Sequence, residues 1–127
     1  MQIVLLKSKL HRATVTAGDV NYEGSLTIAG DLMDRVGLRA YEKILCSNMA
    51  NGERFETYAI RGADGSGAII LNGAAAHLGK PGDRLTIMNF GIFTEAEAKN
   101  WQPRVLVLGP GNAIVPRREK AAEQLPE

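Results

Sequence analysis

The chain has 127 residues, enough for one compact domain with a real core and no dependence on disulfides. Fifteen Lys and Arg against fourteen Asp and Glu leave a net charge of +1, scattered along the chain. That argues against nucleic acid as a partner, because nucleic-acid binders gather basic residues on one face. No apolar run approaches the roughly 20 residues that span a membrane, no signal-peptide pattern opens the chain, and the single Cys46 leaves no internal disulfide. A cytoplasmic chain with Cys46 as a small core residue is expected.

Val-, Ile- and Leu-rich segments bounded by turn residues predict strands at 2–7, 11–16, 25–30, 42–49, 54–60, 67–71, 83–90 and 104–108. Between the fourth and fifth, Asn51-Gly52 signals a hairpin, since both residue types tolerate positive φ. Three short helices are predicted. "DLMDRVGL" has Asp31 as N-cap and Gly37 as terminator, "GAAAHLG" begins at Gly73, and "TEAEAKNW" is capped by Thr94. Strands dominate, which suggests a closed barrel that leaves no sheet edge exposed. One domain over 1–117 is expected, with 118–127, polar and charged, as a mobile tail.

Four stretches carry residues suited to chemistry. In "NYEGSLTIAG", Gly24-Ser25 reads either as a plain turn into a strand or as a peptide bond open to attack by its own serine. "KLHR" sets Lys9 and His11 on one strand face, as a solvated lysine and a structural imidazole or as polar site residues. "RFETY" sets Arg54, Glu56 and Tyr58 on one face and Thr57 on the other. "NGAAAHLG" carries Asn72 and Gly73 into a helix start, where free N–H groups bind anions or merely begin a turn. His77 in that segment reads as structural.

Together these stretches resemble the L-aspartate α-decarboxylase family. Lys9 and His11 in "KLHRATVT", "YEGS" at 22–25, "NGERFETYAI" at 51–60 and "NGAAAH" at 72–77 occur in the family's order and spacing. The resemblance covers about residues 1–117 and implies a mainly β double-psi barrel, a homotetramer with sites between subunits, and a precursor that cuts itself between Gly24 and Ser25. Ser25 would attack the Gly24 carbonyl and, after elimination and hydrolysis, become a covalent pyruvoyl group. Glycine suits the first position because its backbone reaches strained conformations and its carbonyl is unhindered. Serine supplies both the nucleophile and the β-leaving group, where threonine would leave a ketobutyryl group instead. By the same resemblance Thr57 stabilises the oxyanion of that rearrangement and contacts substrate. The pyruvoyl ketone then serves as electron sink for decarboxylation of L-aspartate to β-alanine, the task pyridoxal phosphate performs elsewhere. Tyr58 matches the proton donor. Arg54 and Lys9 match carboxylate clamps, the first bidentate and the second a point charge. Gly73, Ala74 and Ala75 match a backbone stretch against substrate, with His11 and Asn72 as polar lining. Ser47 departs from relatives that place an aromatic residue there, which bears on pocket shape.

The resemblance implies no metal and no pyridoxal phosphate; the two His and one Cys are widely spaced, and Lys9 has no phosphate site beside it. An accessory maturation factor is an open partner. Two alternatives stand beside this reading: a non-cleaving barrel that binds a carboxylate ligand or a protein, and a pyruvoyl enzyme acting on another acidic amino acid.

Overall fold

A computed structural model describes residues 1–116; the tail at 118–127 lies outside them. The described chain is mainly β. β1 (Gln2–Thr14), β2 (Ala17–Asp19), β3 (Ser25–Ala29), β4 (Lys43–Asn48), β5 (Arg54–Gly62), β6 (Ile69–Asn72), β7 (Arg84–Thr94) and β8 (Arg104–Val107) form one sheet in the order β2-β6-β3-β5-β4-β7-β1-β8. β2 lies at one end of that order and β1 next to the other, yet only Val15 and Thr16 separate them in the chain. The sheet must therefore curl until its ends meet. Val15 N–H donates to Asp83 O at 2.8 Å, beside β7, and Thr16 N–H donates to Ile69 O at 2.8 Å, in β6. Those two bonds join the flanks and give the barrel form predicted from strand content.

Inward residues make the core. Leu10, Leu26, Ile28, Ile44, Ile69, Leu71, Leu85 and Ile87 are fully buried, each contributing about 1.5–3 kcal/mol of hydrophobic stabilisation. Cys46 sits among them as expected, and burial pushes its thiol up to about 12, so it stays neutral.

Several predicted elements change on folding. The two strands expected at 2–7 and 11–16 are the single β1, which crosses Lys7 and the His11–Arg12 pair through irregular register against β7. Bulges absorb the extra residues, so polar "KSK" does not end the strand. β2 was not predicted, since three residues carry too little pattern. α1 (Gly30–Val36) starts one residue before Asp31, which therefore is not its N-cap; its carboxylate accepts from Gly65 N–H at 2.8 Å instead. Gly37 ends α1 with φ +70°, the left-handed terminator expected of glycine. Residues 73–77 form a five-residue 3-10 turn rather than an α-helix, with His77 exposed at its end. α2 (Glu95–Ala98) has the predicted Thr94 cap, a full capping box with Glu97. The Asn51-Gly52 hairpin forms, but only Gly52 takes positive φ, and Asn48 N–H closes a wider loop on Glu53 O at 2.8 Å.

One buried amide ties the C-terminal segment to the barrel. Asn112 (φ +60°) accepts from Thr14 N–H at 2.7 Å and donates to Thr14 O at 2.9 Å and Gly67 O at 2.8 Å. Asn112→Ala removes all three bonds and places Ala in the left-handed region. It is expected to cost about 2–4 kcal/mol, read as a lower urea midpoint at unchanged slope.

Candidate active site

β3 runs parallel to β5 and antiparallel to β6. Its ladder pairs Leu26 with Ala59 on one side and Ser25 with Asn72 on the other. Leu26 and Ala59 face the core, so Ser25, Thr27 and Asn72 share the opposite face, with Tyr58 beside Ser25 by the same register.

Ser25 is fully buried at the mouth of β3. Its hydroxyl donates to Glu23 O at 3.1 Å and accepts from Asn72 Nδ2 at 3.0 Å; the same amide donates to Thr27 Oγ1 at 3.0 Å. Asn72 thus fixes the Ser25 oxygen one residue from Gly24. The conformational freedom expected of Gly24 is used elsewhere. Gly24 is not in the left-handed region, and a Cβ there would meet nothing within 4 Å; Gly73 takes the left-handed backbone, at φ +68°.

Tyr58 Oη donates to Glu23 Oε1 at 3.3 Å. Burial, then the Glu23 carboxylate, push this phenol above its usual range, so it keeps its proton at neutral pH. Thr57 pairs with core residue Ile44 and so lies on the other face of β5, as its place in the strand predicted; among the described residues its hydroxyl makes no hydrogen bond. Ala74 is exposed and Ala75 buried in the turn after Asn72.

The remaining site candidates form a second group on the outer face. Register pairs Arg54 with Ser47 and Ser47 with Thr86, while the next row runs Glu56–Leu45–Met88–Lys9. Lys9 and His11 are less than a tenth exposed, so neither is a solvated surface residue. Arg54 stands four residues before Tyr58, about 13 Å along the strand, and Lys9 lies three strands from Glu56, about 14 Å across the sheet. Ser47 Oγ is buried and unbonded among the described residues. Ser25, Asn72, Gly73 and Tyr58 are therefore brought together, Arg54 and Lys9 stand apart from them in the sheet register, and His11 pairs with Val107 of β8. Two neighbours were missed from sequence. Glu23 stood inside the quoted "YEGS" without a role, and Thr27 was detectable as the residue two beyond Ser25 on the same face.

Among the described residues no group of three or more His, Cys, Asp or Glu is placed to hold a metal, and no helix is long and apolar enough to cross a membrane. The family model for aspartate decarboxylase matches residues 1–115. The chain belongs to the aspartate decarboxylase family. It is 50% identical to aspartate 1-decarboxylase of Heliobacterium modesticaldum across 99% of this chain and 97% of that protein. It is 54% identical to the Desulfotalea psychrophila enzyme across 87% of this chain and 92% of that one. The Alcanivorax borkumensis enzyme is 51% identical across 90% of each chain. Family membership extends across both groups of residues on the outer face.

Proposed function

We propose that this chain cuts itself between Gly24 and Ser25 and then decarboxylates L-aspartate to β-alanine and CO2, the step that feeds pantothenate and coenzyme A synthesis. The observation that carries the reading is Ser25, a fully buried hydroxyl held by Asn72 at 3.0 Å beside Gly24, in a chain of this family.

In the first stage Ser25 Oγ attacks the Gly24 carbonyl carbon. The Gly24–Ser25 C–N bond breaks as the C–O bond forms, and the hydroxyl proton passes to the Ser25 nitrogen. Loss of the Ser25 Cα proton then breaks the Cβ–O bond and frees the Gly24 carboxylate. Water replaces the resulting enamine nitrogen, releasing ammonia and leaving a pyruvoyl group at residue 25. Thr57 is assigned the oxyanion contact and Asn72 the orientation of the attacking oxygen. These surroundings fit the group: the position is buried, small-residue backbone flanks it, and an amide donor faces it.

When present, the pyruvoyl ketone supplies the electron sink for the carbon that loses CO2. This chain's residues then bind, orient and donate a proton. Tyr58 holds the proton delivered to that carbon. Gly73, Ala74 and Ala75 offer unhindered backbone to substrate, and His11 completes the polar lining. Arg54 and Lys9 take the two carboxylates. Their separation from the Ser25 group fits a site in which one copy's clamps serve another's Ser25, within the homotetramer that the family resemblance implies. A single domain over 1–117, the double-psi path, cytoplasmic placement and an accessory maturation factor complete the proposal.

Intact-mass measurement on purified protein tests the first stage. Fragments of residues 1–24 and 25–127, the second with a borohydride-reducible carbonyl, are the expected outcome. A permanently uncut, carbonyl-free chain sinks the reading in favour of a carboxylate-binding barrel. Release of CO2 from aspartate in preference to glutamate tests the substrate.

A further inference from the structure

Gly73 matches backbone facing substrate, yet in the uncut chain it packs against the backbone of Gly24, the residue that precedes the bond to be broken. A Cβ on Gly73 would lie 2.7 Å from Gly24 Cα, 2.8 Å from Gly24 N and 3.0 Å from Tyr22 O. All three are backbone atoms, which cannot rotate away as a side-chain tip does. On its own side Gly24 is unsupported, since a Cβ there would meet nothing within 4 Å. The 22–24 segment therefore rests on Gly73, while the Ser25–Asn72 pairing holds the residue that follows. Asn72 and Gly73 are consecutive, so one short stretch at the end of β6 fixes both the attacking oxygen and the backbone it must reach.

We infer that Gly73 is a positioning residue for self-cleavage: its missing side chain, at φ +68°, lets Gly24 lie against β6 within reach of Ser25 Oγ. The inference rests on the self-cleavage proposed above. Any side chain at 73 pushes Gly24 outward while Ser25 stays anchored, and attack geometry degrades with displacements of about 1 Å.

The test follows conversion of freshly made precursor by intact mass in four proteins: wild type, Gly73→Ala, Gly73→Asn and Gly65→Ala. Asn tolerates positive φ, so Gly73→Asn keeps the fold while still carrying the obstructing Cβ. Gly65 has φ +76° with nothing within 4 Å of an added Cβ, so its Ala variant pays the backbone cost without the obstruction. Both Gly73 variants are expected to cleave about 10- to 100-fold more slowly than wild type, with Gly65→Ala unchanged. Circular dichroism and thermal melting establish that each remains folded. Folded Gly73→Asn that matures at the wild-type rate overturns the inference and leaves self-cleavage standing, and a raised KM in that variant would return Gly73 to substrate contact alone. Wild type that never cleaves overturns both.

Discussion

Ser25→Ala is expected to yield one uncut chain whose decarboxylase activity is at background. The side-chain oxygen is required twice, as nucleophile toward Gly24 and as the leaving group whose departure creates the ketone, so alanine removes the prosthetic group and not merely a contact. The barrel should survive. Ser25 is fully buried, but alanine is smaller, and the Asn72 amide that loses Ser25 keeps its bond to Thr27 at 3.0 Å. The two internal hydrogen bonds lost, to Glu23 O and from Asn72, cost about 1 kcal/mol each. Intact mass and thermal melting of the same sample check both halves: a cut Ser25→Ala chain would place the nucleophile elsewhere, and a collapsed one would leave the loss of activity without chemical meaning.

Tyr58→Phe should separate the two stages. It keeps the ring, including its contact with Tyr41 at a centroid distance of 6.2 Å, and removes only the hydroxyl. Cleavage is expected to proceed normally, because Tyr58 Oη bonds the Glu23 side chain and not Ser25 or Gly24. Turnover per pyruvoyl group is expected to fall about 10²- to 10⁴-fold, the usual contribution of a positioned proton donor. The pH profile gives an independent readout. A donor must be protonated, and this phenol lies above its usual range in the uncut chain through burial and the Glu23 carboxylate. Wild-type activity should then hold through neutral pH and decline only on an alkaline limb above the ordinary phenol range. In the Phe variant that limb disappears. Full turnover in Tyr58→Phe would assign the proton to another group.

Much of this was legible in one dimension. Runs rich in Val, Ile and Leu between turn residues located seven of the eight strands, because that signal is confined to each segment itself. The Thr94 cap and the Gly37 terminator were readable for the same reason, each being settled within one helical turn. Asp31 was misread as a cap because its partner, Gly65 N–H, is distant in sequence and can compete only after folding. β1 merged two predicted strands because bulges at Lys7 and at His11–Arg12 form only against β7.

Local chemistry by itself therefore determined the strand-rich class and the place of Cys46 in the core, while the four ordered motifs carried the family resemblance. Only the tertiary structure decided which of those motifs meet. It set Asn72 on Ser25 and Gly73 against Gly24 through the β3–β6 ladder, and it left Arg54 and Lys9 about 13 Å or more along and across the sheet. The physical reason is register: parity along a strand says which face a residue takes, whereas its neighbours across the sheet are chosen by closure of the whole barrel.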